Sequence, residues 1–317
     1  MAEVTPKFKK LPLNDDGSLI KNGFNIKSPR QLVIVKYPKS GSTLACGNVP
    51  KILIADSEHG TDTFELDNVA NLIDPDVEGK FKETKQFGWI PQTLHEMVSE
   101  LYIANKMKEF WILYNLLQEE RNLTIKEKYY NQLIELFDKM PFPIVNMDTI
   151  TALVGISNQA ALYEYNLKMK PENRKIDIKK ADDYGGVRFI RSKFNEVKRF
   201  IEQMAAPFII YSGHVGLKKK VLSKSEEDVN ALDIALEGVL SVIFTSQANA
   251  VCTFKRESTG CYLDFLKQDE SDLGSRNLHL SNRKLKIVES ASDEDMLNHV
   301  FPLKHHWDIV YPEISFS

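Results

Sequence analysis

Cysteine is scarce in this chain of 317 residues, which carries only Cys46, Cys252 and Cys261. The number is odd and no pair stands at a C-x-x-C spacing, which excludes a disulfide framework and a cysteine-ligated zinc site and suits a reduced compartment. No run of 18 uncharged apolar residues occurs, so the sequence offers no candidate for a membrane-spanning helix. The first ten residues bear lysines with no apolar stretch behind them, unlike an export signal. These absences predict a cytoplasmic protein without a membrane partner. An excess of one charge is missing too. The 41 Lys and Arg against 44 Asp and Glu give a formal charge of −3, so any contact with nucleic acid must come from local patches rather than a global basic field.

Material for a core is plentiful, with 43% apolar and 27% charged residues on a chain long enough to bury one large domain. Residues 1–30 mix Pro, Gly, Asn, Asp and Lys without a period and read as an amino-terminal arm; 31–290 read as the domain, and 291–317 as a carboxy-terminal tail. Short β-rich runs at 32–37, 52–55, 143–147, 208–211, 250–256, 262–266 and 285–288 include several that are nearly all apolar. Such runs predict strands covered on both faces, hence an α/β protein with a largely parallel central sheet. Residues 250–268 predict a carboxy-terminal β-hairpin turning at Ser258, Thr259 and Gly260.

Apolar residues recur at helical spacing from Leu94 through Leu101 and Phe110 to Leu117, and again from Tyr129 through Leu133 and Phe137 to Met140. Together they predict a helical insertion at about 89–140 whose stripes face the core. A third series, Val187, Ile190, Phe194, Val197, Ile201 and Met204, runs straight into the strand after Pro207, as a β-α-β crossover helix does.

The segment Lys36-Tyr37-Pro38-Lys39-Ser40-Gly41-Ser42-Thr43-Leu44 follows the first buried run and has the layout of strand, tight polar turn and helix start. Such a turn aims consecutive backbone N–H groups at one point, where an anion binds. Against the phosphate-loop pattern G-x-x-x-x-G-K-[ST], Gly41 and Thr43 fit, while Lys36 takes the first glycine position and Ser42 the lysine position. The same letters can also be read as a loop from which the lysine is deleted. Either way the loop loses the cation that normally reaches the β- and γ-phosphates, and Lys36 or Lys39 folding back is the available substitute.

Later segments, in order and spacing, resemble the phage nucleotide-binding P-loop proteins, RecA-like ATPases linked to single-strand annealing and recombination. The resemblance covers about residues 31–289. Asp56-Ser57-Glu58-His59-Gly60-Thr61 looks like that family's strand ending in Asp-x-Glu-x-Gly-Thr, which implies Glu58 as the general base. The run ending in Asp148 and Thr149 resembles a Walker B strand, which implies Mg²⁺ held by Thr43 directly and by Asp148 through water. Ser212-Gly213-His214 is similar to the family's sensor strand and implies His214 as a γ-phosphate sensor. Gly274-Ser275-Arg276 looks like its Gly-Ser-Arg element, implying that Arg276 acts across a subunit interface of a homo-oligomer.

The resemblance thus implies a RecA-like fold, ATP and Mg²⁺ as cofactors, and a nucleotide site at Lys36, Pro38, Lys39, Ser40, Gly41, Ser42, Thr43 and Leu44. Single-stranded DNA is the implied partner. Lys175, Lys179 and Lys180 in one segment, and Lys218, Lys219 and Lys220 in another, offer positive charge for phosphate contacts, although acidic residues are interleaved with both groups. Two other readings stay open. A loop without its lysine suits a catalytically inactive ATPase relative that serves as a DNA-binding or assembly subunit. The string Tyr37-Pro38-Lys39-Ser40-Gly41-Ser42-Thr43 also resembles the 5′-phosphosulfate loop of sulfotransferases.

Overall fold

A computed structural model describes residues 24–58, 60–62, 64–72, 81–84, 88–180, 186–221, 228–234, 244–266, 273–290, 294 and 302–317. The strands are β1 (Gln31–Lys36), β2 (Ile52–Asp56), β3 (Val69–Asn71), β4 (Phe81–Thr84), β5 (Gly88–Pro91) and β6 (Ile144–Asp148). After them come β7 (Phe208–Val221), β8 (Asp228–Ile234), β9 (Ala250–Glu257), β10 (Gly260–Asp264), β11 (Gly274–Ser275) and β12 (Lys284–Glu289). The main sheet runs β12-β10-β9-β1-β7-β6-β2-β3, with β11 beside β9 and β8 beside β7; β4 and β5 form a separate hairpin. From β9 across to β3 every neighbouring pair is parallel, whereas β10 and β12 add an antiparallel flank.

Alternation of side chains along the strands divides the interior into two cores, one on each face. Val33, Val35, Val145 and Ile209 point to the first, and Leu32, Ile34, Ile144 and Ile210 to the second. The first is covered by α1 (Gln92–Ala104), α4 (Ile150–Leu167) and α5 (Val187–Met204), and the second by α2 (Met107–Glu119) and α3 (Leu123–Lys139). The segment expected as a helical insertion is therefore part of the body. It is the crossover that leads to β6 and clothes both faces of the sheet on the way.

The single long stripe expected from Leu94 to Leu117 is broken between α1 and α2, where Lys106 adopts a left-handed backbone with φ 48°. Asn105 sets the break. Its side-chain amide donates to the carbonyls of Phe142 (2.7 Å) and Ala205 (2.9 Å) and its oxygen accepts from Phe142 N–H (3.2 Å), so one buried residue ties the chain reversal to the starts of two strand segments. Asn122 caps α3, accepting from the N–H groups of Thr124 and Ile125.

The carboxy-terminal residues do not trail away. Trp307, Val310, Tyr311 and Ile314 lie in the second core. Glu313 accepts from the N–H groups of Lys27 (2.6 Å) and Ser28 (2.9 Å) and from the Ser28 hydroxyl, which fastens the segment before β1 to the end of the chain. The first 23 residues of the expected arm lie outside the described residues.

Candidate functional site

Parallel pairing sets six strand ends side by side, and their register decides which side chains meet. Lys36 of β1 is opposite His214 of β7, Ser212 of β7 is opposite Asp148 of β6, and Asp148 is opposite Asp56 of β2. The crevice beyond the carboxyl ends of the strands is where open parallel α/β sheets bind ligands. Here it is a cleft of about 350 Å³ lined by residues 36, 37 and 39–44 together with Asp56, Glu58, Gly60, Phe64, Asp148, His214 and Arg256.

The loop after β1 begins with a turn closed by the Ser40 N–H and the Tyr37 carbonyl (3.2 Å). Pro38 pre-sets φ at the second position of this turn, Lys39 takes a left-handed φ of 58°, and Gly41 follows with φ 83°, a conformation that favours glycine. The N–H groups of Gly41, Ser42 and Thr43 donate to no acceptor among the described residues, and the Ser40 hydroxyl is buried without a partner. Donors gathered in this way around one turn are of the kind to which an anion can bind. The helix expected after the loop is absent: Leu44–Cys46 form one 3-10 turn before the chain heads for β2. The space beneath that turn is filled instead by the carboxy-terminal segment, where Trp307 Nε1 donates to the Ala45 carbonyl at 2.9 Å. The positive end of a helix, expected to assist binding, is thus not supplied here.

Asp148 holds the centre. Its Oδ1 accepts from Lys36 Nζ and its Oδ2 from the Thr43 hydroxyl at 2.5 Å, with Lys36 and Asp148 only 5% and 4% exposed. The lysine found at the first glycine position is therefore an internal ion pair, and the missing loop cation has a counterpart in the same cleft. Glu58 lies close by: its Oε1 accepts from the Thr149 hydroxyl at 2.5 Å, and its Oε2 is 3.9 Å from His214 Nε2. Asp56 shapes the loop that presents Glu58. It accepts from Glu58 N–H (2.9 Å), Thr61 N–H (2.9 Å) and the Thr61 hydroxyl (2.6 Å). Burial pushes its carboxyl up, but the Thr61 hydroxyl and the backbone donors outweigh it and hold the group below the ordinary carboxylate value.

No family model matches this chain, and no curated protein matches it either.

The cleft assembles most of the residues singled out from the sequence: Lys36, Lys39, Ser40, Gly41, Ser42, Thr43, Leu44, Glu58, Asp148 and His214 line it, with Pro38 in the turn. Arg276 is elsewhere. It follows β11, which pairs with the start of β9 at Ala250 and Val251, and its guanidinium donates to the Ser246 carbonyl at 2.7 Å. That is the amino end of the strands, so Arg276 does not reach the cleft of its own chain. The arginine that does is Arg256, near the end of β9, and a Cβ placed on Gly41 would stand 3.8 Å from its Nη1. Sequence reading passed over Arg256 because nothing in the local pattern tells that β9 lies next to β1.

Among the DNA-facing candidates, Lys179 and Lys180 are exposed and Lys175 is half-buried in the segment after α4, which Asn166 clasps through the Lys175 N–H and carbonyl. Lys218, Lys219 and Lys220, expected in a mobile loop, belong to β7, which continues past the cleft and pairs with β8, placing them opposite Ala231, Asn230 and Val229.

Mg²⁺ requires near-octahedral oxygen ligands at roughly 2.0–2.1 Å and retains waters. Thr43 and Asp148 are the metal ligands expected from the sequence, but they are bonded to each other, and the remaining Asp148 oxygen holds an ammonium. As arranged, this donor set does not fit the metal. Among the described residues no group of three or more His, Cys, Asp or Glu side chains is placed to share a metal ion, and no helix is long and apolar enough to cross a membrane.

Proposed function

We propose that this protein is a RecA-like P-loop protein that binds a nucleoside triphosphate, ATP by preference, at the carboxyl end of its parallel sheet, and that it uses the bound nucleotide for assembly on single-stranded DNA rather than for rapid hydrolysis. The supporting observation is the convergence in one cleft of a glycine turn with unmet N–H donors, Thr43 and the strand-end carboxylates Glu58 and Asp148. The size suits a nucleotide-sized ligand. Tyr37 and Phe64 on the walls offer apolar surface for a base, and Arg256 and Lys39 supply cations for phosphates.

Binding rather than turnover is favoured by the pairing of Lys36 with Asp148. In P-loop enzymes a mobile loop lysine and a metal follow charge as it develops on the transferred phosphoryl group. Here the buried lysine is committed to a carboxylate. Glu58 and His214 remain suitably placed beside the cleft to orient water, so a slow hydrolysis dependent on Glu58 is compatible with the arrangement.

The test is thermal stability with ATP, with phosphoadenosine phosphate and with neither. A ligand that binds only the native state raises its stability by mass action, by about 2.7 kcal/mol at a hundredfold excess over Kd. Stabilisation by ATP supports the reading; stabilisation by phosphoadenosine phosphate alone would favour the sulfotransferase reading, and neither would remove the nucleotide site.

A further inference from the structure

We propose that the cleft takes its polyphosphate without a divalent cation, because Lys36 occupies from inside the protein the Asp148 carboxylate at which a metal would bind, and Arg256, Lys39 and the loop N–H groups are left to meet the anion. This rests on reading the cleft as a phosphate site and adds to it which form of the ligand is bound: the free polyanion, not its magnesium complex.

The geometry carries this. Lys36 ends β1 and Asp148 ends β6, with β7 between them, so the two backbones stand two strand spacings apart, roughly 10 Å. Only a side chain about as long as lysine crosses that gap, and it does so at the floor of the cleft, where both partners are almost sealed from water. A charge taken out of water at such cost is retained only with its counter-charge, and removing either partner leaves the other uncompensated. The ammonium therefore cannot step aside cheaply for a metal. A dication arriving at the same carboxylate would sit beside a fixed positive charge, and it would have to break the Thr43–Asp148 hydrogen bond as well.

The remaining charges agree with this account. Of the three carboxylates lining the cleft, Asp56 is saturated by Thr61 and backbone donors and Asp148 by Lys36 and Thr43, while Glu58 is bonded to Thr149. Glu58 keeps its second oxygen 3.9 Å from His214 Nε2, and the loop N–H groups without an acceptor line the same cleft as Lys39 and Arg256, the latter close to Gly41. Set against the usual phosphate-loop pattern, the loop has serine at the lysine position and lysine at the first glycine position, and that lysine is the one paired with Asp148.

The experiment compares binding of ATP and of inorganic tripolyphosphate to the intact native protein, by calorimetry and thermal shift, in excess EDTA and in excess MgCl₂. The expected result is affinity equal within about threefold in the two conditions, or tighter in EDTA. Tightening of more than about tenfold by magnesium would overturn the proposal while leaving the phosphate site intact. No stabilisation by either polyanion in either condition would overturn the phosphate site itself, and this inference with it. A second measurement uses the double variant Lys36→Gly/Ser42→Lys, which returns the loop to its usual layout. It is expected to bind ATP more tightly with magnesium than with EDTA, and a variant as indifferent to metal as the native protein would show that Lys36 is not the cause. The native comparison stands whether or not the double variant folds.

Discussion

At the residue scale the cleft depends on a few conformations and charges that have no near substitute. Gly41 has φ 83°, and a Cβ there would meet only ordinary contact with Arg256, so the constraint on this position is conformational rather than one of space. Gly41→Ala is expected to cost roughly 1–2 kcal/mol, the usual penalty of a left-handed backbone for a residue with a Cβ, and to weaken ATP binding more than it lowers stability. Calorimetry and chemical denaturation on the same sample separate the two effects. Asp56 gives a pH prediction. Its folded-state pKa lies below its unfolded value of about 3.9, so its contribution is complete above that value and is lost as pH falls through the folded one. Denaturation midpoints should fall more steeply below about pH 4 in the native protein than in Asp56→Asn, and parallel curves would mean that the loop bonds contribute nothing.

The three thiols behave alike for one main reason. Burial raises the pKa of Cys46, with Asp148 adding to it, and burial also raises those of Cys252 and Cys261. A thiolate is the reactive form, so at neutral pH Cys46 and Cys252 should react with a disulfide reagent only on unfolding. Rapid modification of either in the native protein would mean that the second core opens near the loop.

At the scale of elements, two contacts join parts of the chain that the sequence keeps far apart. Asn105 serves the carbonyls of Phe142 and Ala205, and its replacement by alanine leaves buried backbone groups unpaired at about 1–3 kcal/mol each. A fall of about 2 kcal/mol or more in unfolding free energy is expected, without change in ATP affinity, because Asn105 lies at the amino end of the strands. Trp307→Ala is the contrasting case. The side chain is fully buried and its indole holds the Ala45 carbonyl just behind the loop that follows β1. A loss of about 3–5 kcal/mol is expected, and ATP affinity should fall with it.

Much at this scale was legible in advance. Runs such as 32–37 and 143–147 are apolar at nearly every position because their strands lie between two cores, and that leaves a mark in the sequence which needs no partner to read. The strand that carries Lys218, Lys219 and Lys220 is longer than the apolar run 208–211 suggests, since its outer half is polar in sequence and pairs with β8. The long stripe from Leu94 to Leu117 gave no sign of its break, because α1 and α2 keep apolar faces that serve opposite sides of the sheet. Lys36 read as a defect for a related reason: its counter-charge is 112 positions away, and only the register of β1, β7 and β6 brings them together.

At the scale of the whole molecule, the chain carries nearly balanced charge, so the proposed DNA binding must come from limited patches. Affinity for single strands should then depend on salt with a slope set by the few phosphates contacted, and replacing Lys218, Lys219 and Lys220 together by alanine should lower that slope by up to about 0.7 per lysine lost. Fluorescence anisotropy across a salt series measures it, and an unchanged slope would take the β7–β8 hairpin out of the interface. Arg276 stands at the end of the strands opposite the cleft, so any action on nucleotide phosphates requires a second copy of the chain.

The placement of the last residues has a consequence for how the protein is made. The central strand β1 is made before both of its neighbours, one starting at Phe208 and the other at Ala250, and the turn after its loop is backed by Trp307. Domains emerge from the ribosome amino-terminal part first. A nascent chain therefore carries the turn after β1 without that backing until residue 307 has emerged, and a chain stalled or cut short before then lacks the wedge behind the turn, however complete its sheet.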